Sequence, residues 1–461
     1  MSFSVIVLAA GQGTRMGSSR PKVLQLLAGK PLLHHVLAAC RIIVPQQTIV
    51  VCGYKGELVQ QSCKAFVVDW VWQSEQRGTG HAVQTAYPDL SYVDQVLVLY
   101  GDVPLVTGAT LKQLLAATPV NAVGILTANL ANPTGLGRII RDAQNNVVAI
   151  VEQKDATEQQ RLIKEINTGI YVLPYKYLAA WLANLQAHNQ QKEYYLTDII
   201  AMAVDAGVPV LAHQVDNLLE VAGVNSQQQL SELERSYQMS HANELMTLGV
   251  KIYDPARLDI RGVVTVGSDV EIDINVILEG DVVLGDNVII GPNVTIKNSV
   301  LGAGTIVHAN SFIDGLDAAS DCQIGPFARI RPGTKLNTKS KIGNFVEIKN
   351  AIIDEQSKIN HLSYIGDAEV GKRVNIGAGV ITCNYDGANK HKTIIEDDVF
   401  VGSNCELVAP VTVGKGATLA AGTTLVKDAP AGALTLTKKV IEIITSWKRP
   451  VKQVVAQKEE I

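Results

Sequence analysis

No apolar run in this sequence reaches the roughly 20 residues that a membrane-spanning helix requires, which argues against membrane insertion. A strong charge of either sign is missing as well. The formal net charge of −4 argues against a general nucleic-acid or membrane-surface partner, and the mildly basic stretch 448–458 reads as a solvated tail. The six cysteines (Cys40, Cys52, Cys63, Cys322, Cys383, Cys405) contain no CxxC pair. They read as reduced thiols of a cytoplasmic protein, not as a disulfide framework or a thiolate metal site. No secretory leader is expected, since Ser4 to Ala10 enters a strand pattern without a cleavage region.

What is present is an unusual period. From Val266 to Leu425 an aliphatic residue returns at every sixth position, as in Val266, Ile272, Leu278, Leu284, Ile290 and Ile296, or Ile395, Val401, Leu407, Val413, Leu419 and Leu425. Many of these are followed directly by glycine. Six does not suit a 3.6-residue turn, where the apolar positions would drift round the helix, and a flat sheet has a period of two. A parallel β-helix of hexapeptides fits, with rungs about 4.8 Å apart and aliphatics filling a narrow interior. Five-residue steps at Ile296–Leu301, Ile348–Ile353 and Ile365–Val370 read as shortened corners. Residues 382–392 (TCNYDGANKHK) contain no aliphatic and should leave the prism as a loop, the kind of segment that carries function on a rigid scaffold.

The first half is organised differently. Its apolar runs at 4–10, 48–52, 66–72, 95–100 and 122–126 alternate with helix-like stretches, which predicts a mostly parallel, doubly wound α/β sheet with ligands at the carboxyl ends of its strands. The first run ends in Gly11-Gln12-Gly13-Thr14-Arg15-Met16, followed by Pro21-Lys22. Glycines there let backbone N–H groups approach a phosphate, and Arg15 and Lys22 can offset its charge; a plain strand-to-helix turn is the alternative. Gln73 with Arg77-Gly78-Thr79-Gly80 forms a tight polar loop able to reach a base edge. Asp102, in Tyr100-Gly101-Asp102, either caps the next helix or, opposite a phosphate loop, ligates Mg²⁺. Polar groups beside Gly137, Glu152, Asn167 and Asn225 suit the hydroxyls and amide of a sugar. Ser226–Leu248 reads as a helix that joins two bodies, with Ser226 as its N-cap.

Within the repeats the exceptions to the apolar pattern stand out. Arg331 and Lys349 suit an anionic substrate, and His361 is either a surface histidine or a base for an amine. Tyr364 and the loop around Asn384 and Tyr385 lie close to them in the coil order.

Taken together, LAAGQGTRM with Pro21-Lys22, Gln73, GTGHA, YGDVPL, GRII, VEQKDAT, NTGIYV, EYYLTDII and GVN, followed by the hexapeptides, closely resemble the bacterial bifunctional N-acetylglucosamine-1-phosphate uridyltransferase and glucosamine-1-phosphate acetyltransferase family. The resemblance covers nearly the whole chain. It implies a Rossmann-like uridyltransferase domain (1–227), a helical linker (228–248) and an acetyltransferase domain (249–461) built as a left-handed β-helix. It implies that Leu8, Ala9, Ala10, Gly11, Gln73, Gly78 and Thr79 hold UTP, that Arg15 and Lys22 stabilise the reacting phosphates, and that Asp102 and Asn225 bind Mg²⁺. Tyr100, Gly101, Gly137, Glu152 and Asn167 would complete the nucleotide-sugar site.

In the second half the resemblance implies a homotrimer with active sites between prisms. His361 would be the general base for attack of the glucosamine-1-phosphate amine on acetyl-CoA, with Glu347 behind it. Arg331, Lys349, Tyr364, Asn375 and Lys390 would bind the sugar phosphate, and Ala378, Asn384, Tyr385, Ser403, Ala421 and Lys438 the coenzyme. Lys438 stands where some relatives carry arginine, which keeps the charge but loses two-pronged phosphate binding. A nucleotidyltransferase whose β-helix only oligomerises, or a scaffold that has lost catalysis, are the alternatives. His361, Lys349 and the NYDG loop speak against the first, and Arg15, Lys22 and Asp102 against the second.

Overall fold

The computed structural model describes residues 1–438 and 441–450; the rest of the basic stretch, from 451 on, lies outside the described residues. The chain divides into two compact units, one of residues 1–247 with 254–262, the other of residues 248–253 with 263 onward.

In the first unit seven strands run across the main path of a sheet in the order Val210–Gln214, Val123–Asn129, Glu165–Pro174, Gln95–Tyr100, Phe3–Ala9, Gln47–Cys52 and Asp69–Trp72. The runs SVIVLA, TIVVC and QVLVLY are continuous rather than alternating because both sheet faces are covered. One face carries a core that includes Val83, Leu178, Leu182 and Ile199, and the other a core that includes Leu33, Val36, Leu37 and Leu111. The sheet is mixed. Glu165–Pro174 runs antiparallel to both Gln95–Tyr100 and Val123–Asn129. Asn167-Thr168-Gly169, which reads as a loop beside a strand, is a bulge inside that strand, with Gly169 at φ 83°. The strand expected at 66–72 starts only at Asp69, while Phe66 and Val68 pack on the core from the preceding segment.

The helix Gln227–Thr247 begins where Ser226 Oγ accepts from Gln229 N (3.2 Å), and Gly249 beyond its end sits at φ 94°. Within the first unit its Leu230 and Leu233 pack with Met16, Leu27 and Leu32. Buried Gln238 clamps the backbone of Ile260, accepting from its N–H (2.7 Å) and donating to its carbonyl (2.9 Å).

The second unit is a prism of short parallel strands. Ile272 pairs with Ile290 one coil on, a step of 18 residues, which is three hexapeptides. Coils that contain a five-residue step, such as Ile290 to Val307, take 17, and the coil from Ile376 to Val401 takes 25 because it carries the loop at 382–392. The inward aliphatics Ile272, Leu278, Leu284, Ile290 and Ile296 are at most 1% exposed. Each such burial is worth about 1.5–3 kcal/mol, which the stack repeats along its length.

One corner shows how the turns are made. Asn275, Asn293 and Asn310 occupy left-handed φ values of 58–60°, and their amides bond in a ladder (2.9 and 3.2 Å). On the next three coils the same position is taken by Phe327, Phe345 and Leu362, at φ 55°, 55° and 49°. Such a conformation costs a bulky residue about 1 kcal/mol or more. The two phenyl rings stack at 5.1 Å, and all three side chains are about half exposed or more.

Candidate active sites

The first site grows from the sheet order. Leu8 pairs with Tyr100 on adjacent parallel strands, so the glycine loop after one and Asp102 after the other emerge side by side. Gly13 (φ 64°) and Gly17 (φ 58°) flank the single turn Thr14–Met16; a Cβ on Gly13 would come within 2.6 Å of Lys22 Cβ, so this close approach requires glycine. Lys22 forms an ion pair with Asp102, and both side chains are largely buried. Asn225 Oδ1 accepts from Arg15 Nη2 (2.9 Å) and from Lys22 Nζ (3.2 Å), while Val224 N–H donates to Asp102 O (3.0 Å). Two cations and two oxygen donors, drawn from four separate segments, thus meet at one point.

Gln73 lies at the end of the Asp69–Trp72 strand, where its N–H donates to Cys52 O (2.8 Å). Gly78 (φ 110°) starts the helix Thr79–Ala86, and Thr79 Oγ1 accepts from Leu196 N (3.1 Å). A third group surrounds the sugar-side residues. Asn167 Nδ2 donates to Tyr171 Oη (2.6 Å), Asn167 N donates to Gly137 O (2.9 Å), and a Cβ on Gly137 would stand 3.3 Å from Glu152 Oε1. Burial, with Asp155, Asp198 and Glu193 nearby, raises the Glu152 carboxyl above its usual range. Burial and Glu152 likewise push the Tyr100 phenol up, against a hydrogen bond with Thr79. Among the described residues no group of three or more His, Cys, Asp or Glu is placed to hold a metal ion.

In the prism, Arg329, Glu347, Tyr364 and Ile381 are successive rungs of one face, and Lys349 pairs with Gly366 at its far end. Arg331 Nη1 donates to Glu347 Oε1 (2.9 Å). Asn384 Nδ2 reaches both Asp367 and Tyr364 Oη (3.4 Å), and Asn350 Nδ2 donates to Asp367 Oδ1 (2.6 Å). Burial would raise the Asp367 carboxyl, but these amides, with Lys349 and Lys390, outweigh it and hold the group below its usual range. Lys349 in turn lowers the Lys390 ammonium. A pocket of about 380 Å³ opens here, lined in part by Asn350, Asp367, Lys390 and His391.

His361 stands at the opposite edge of this face, on the corner before Tyr364, exposed and not turned into the interior. Its Nδ1 bonds Asn344 Oδ1 (2.8 Å), an acceptor, so Nδ1 carries the proton and, in the neutral ring, the lone pair is on Nε2. Down the same corner the backbone links Gly379 N to His361 O (3.3 Å), Asn404 N to Ala378 O (2.7 Å) and Gly422 N to Ser403 O (2.8 Å). Ala378, Ser403 and Ala421 therefore continue the line that His361 begins.

Residues 5–194 match the MobA-like NTP transferase domain, 260–334 the GMPPB C-terminal domain, and 392–427 the hexapeptide repeat of succinyl-transferase. The bifunctional protein GlmU of Nitrosomonas europaea is 54% identical over 98% of this chain and 99% of its own length. The chain belongs to the bifunctional GlmU family. The GlmU proteins of an Azoarcus species and of Paraburkholderia phymatum, at 54% and 53% identity, each match 98% of this chain over 100% of their length. With the family come a Rossmann-like nucleotidyltransferase fold and a left-handed hexapeptide β-helix, and the chain is a bifunctional transferase with small-molecule substrates. Among the described residues no helix is long and apolar enough to cross a membrane.

The sequence reading and the geometry differ in places. Glu347, expected behind His361, is instead the partner of Arg331, and Asn344 holds the imidazole. Asn375 pairs with Lys358 and Phe400 on the face that ends at His361, not on the face of Arg331 and Lys349. Tyr385 is exposed, its hydroxyl donating to Gly387 O (2.6 Å) and its backbone bridging to Lys390. Lys438 is exposed just past the strand Leu434–Thr435. Asn344, Asp367, His81 and Tyr194 were not singled out from sequence. The last two lie inside quoted motifs, GTGHA and EYYL, and could have been found there; Asn344 carries no local signal.

Proposed function

We propose that the two halves carry the two transfers separately. In the prism, His361 Nε2 removes a proton from the amine of glucosamine-1-phosphate as that nitrogen attacks the thioester carbonyl of acetyl-CoA. The C–N bond forms, the C–S bond breaks, and coenzyme A leaves as the thiol. In the first unit the phosphate of N-acetylglucosamine-1-phosphate attacks the α-phosphorus of UTP, and pyrophosphate leaves with the electron pair of the broken P–O bond. Positioning and charge neutralisation do most of the work in such chemistry, so no covalent nucleophile is needed.

The observation that carries this reading is the convergence of Arg15, Lys22, Asp102 and Asn225, together with an independent imidazole whose tautomer is set for a base. Leu8, Ala9, Ala10, Gly11, Gln73, Gly78 and Thr79 would hold the nucleotide, and Tyr100, Gly101, Gly137, Glu152 and Asn167 the sugar. One carboxylate and one amide oxygen suit Mg²⁺, which favours one or two protein oxygens besides substrate phosphates, so Asp102 and Asn225 would hold it. When bound, Mg²⁺ supplies charge neutralisation at the phosphates.

Arg331, Lys349, Tyr364, Asn375 and Lys390 would bind the sugar phosphate, and Ala378, Asn384, Tyr385, Ser403, Ala421 and Lys438 the coenzyme. Within one chain the corner at Leu362 separates His361 from the face of Lys349, which pairs with Gly366 five residues past His361. A site assembled between prisms would remove that separation. The exposed Phe327, Phe345 and Leu362, held in a costly conformation beside His361, support a homotrimer. A cytoplasmic setting follows from the substrates of this reading.

The test is to supply glucosamine-1-phosphate, acetyl-CoA, UTP and Mg²⁺, and to follow coenzyme A and pyrophosphate separately. His361→Ala should abolish coenzyme A release, yet pyrophosphate release from supplied N-acetylglucosamine-1-phosphate should survive; Asp102→Ala should do the reverse. Loss of both activities in either folded variant would falsify the two-site reading.

A further inference from the structure

Gln73 is only 3% exposed, and its amide is unevenly committed. Nε2 spends both hydrogens inside the protein, one on Gly78 O (3.2 Å) and one on His81 Nδ1 (2.9 Å), while Oε1 has no partner among the described residues. A carbonyl oxygen can only accept, so the bond to Gly78 O identifies the inward end of the amide as the NH₂, and the shorter bond to His81 shares in holding it. His81 Nδ1 must then accept, which leaves the imidazole proton on Nε2. The imidazole is itself held in place. Its ring lies 6.3 Å from that of Tyr194, the Arg77 guanidinium lies over the Tyr194 ring at 5.0 Å from its centre, and the Tyr194 backbone brackets the turn through bonds with Arg77 O and Gly80 N (both 2.8 Å).

We infer that His81 is a positioning residue which locks the Gln73 amide with its carbonyl oxygen unspent, so that the site selects a pyrimidine carrying a proton on N3. Uracil offers N3–H to that oxygen. Cytosine presents a lone pair on N3, and two acceptors would face each other, which leaves a buried polar group unpaired and discriminates more strongly than a lost apolar contact. This rests on the reading that Gln73 faces the nucleotide base. The recognition is thus set by a residue that itself need not touch the substrate.

The experiment measures kcat and KM of the full-length protein for UTP and for CTP with N-acetylglucosamine-1-phosphate, using acetyl transfer by the same sample as a check on integrity. His81→Leu removes the acceptor. It should raise KM for UTP about 10-fold with kcat within about twofold, and cut the UTP:CTP preference by about 10-fold, the size of one hydrogen bond. His81→Asn should restore most of the preference, because its Oδ1 can take the Nε2 bond. The inference is overturned if His81→Leu lowers kcat and leaves the preference intact, or if His81→Asn is no better than His81→Leu. Gln73→Leu separates the two layers. If it leaves the preference intact, Gln73 does not face the base and the underlying reading fails; if it abolishes the preference while His81→Leu does not, only the role of His81 falls.

Discussion

Removing the Asn344 side chain tests whether the imidazole of His361 is set for catalysis or merely placed. The Nδ1···Oδ1 bond is 2.8 Å and exposed to solvent, and it is the hydrogen bond that sets the tautomer. A neutral hydrogen bond of this kind contributes about 0.5–1.5 kcal/mol net. Asn344→Ala lets the Nε2–H tautomer compete, so the fraction of enzyme with a lone pair on Nε2 falls. At about 1.4 kcal/mol per decade, kcat for acetyl transfer should drop between about 2-fold and 12-fold. That is far less than the 10²–10⁴-fold, approximately, expected for loss of the base itself in His361→Ala. The assay is coenzyme A release at saturating substrates, with pyrophosphate release from the same preparation as the control. An unchanged kcat would refute the tautomer argument. So would a loss as deep as that of His361→Ala, which would mean that Asn344 does more than orient the ring.

Other consequences can be measured on the same protein. Phe345→Asn restores the residue type that turns this corner elsewhere in the prism, so thermal stability should be kept while self-association weakens, which light scattering across a dilution series would detect; an unchanged mass at every concentration would remove Phe345 from the interface. Ile348→Ala, at a fully buried rung, should cost about 2–5 kcal/mol, read as a lower denaturation midpoint of the prism; a cost below about 1 kcal/mol would contradict the close packing of the interior. Arg141 donates two hydrogen bonds to Glu165 (both 2.8 Å), holding that carboxyl below its usual range. The pair therefore stabilises the first unit above the unfolded carboxylate pKa of about 4.3, and this contribution is lost as pH falls towards the folded value. Arg141→Met should flatten the acid limb of the stability curve, and an identical limb in both proteins would show that the pair contributes nothing.

The correspondence between sequence and structure was closest where burial repeats at a fixed interval. Ile272, Leu278 and Leu284 point inward because a hexapeptide period leaves them no other consistent direction, and the aliphatic-free segment 382–392 does swell its coil. The strands ending at Ala9 and Tyr100 were legible from their apolar runs. The bulge at Asn167–Gly169 was not, because a polar interruption looks the same in a loop and in an antiparallel strand. The family resemblance placed Glu347 behind His361, whereas along the rung it sits over Arg329 and bonds Arg331.

By itself the sequence determined that there are two architectures, and which side chains with acid, base or cationic chemistry stand at strand ends. These are local properties, written in spacing and composition. Only the tertiary structure decided which of them meet. Lys22 finds Asp102 across 80 residues and Asn225 across 203, His361 finds Asn344 one coil away, and Gln73 bonds a histidine on the following helix. Sheet order and coil register set those encounters, and both depend on how distant segments pack, which no single stretch of chain encodes.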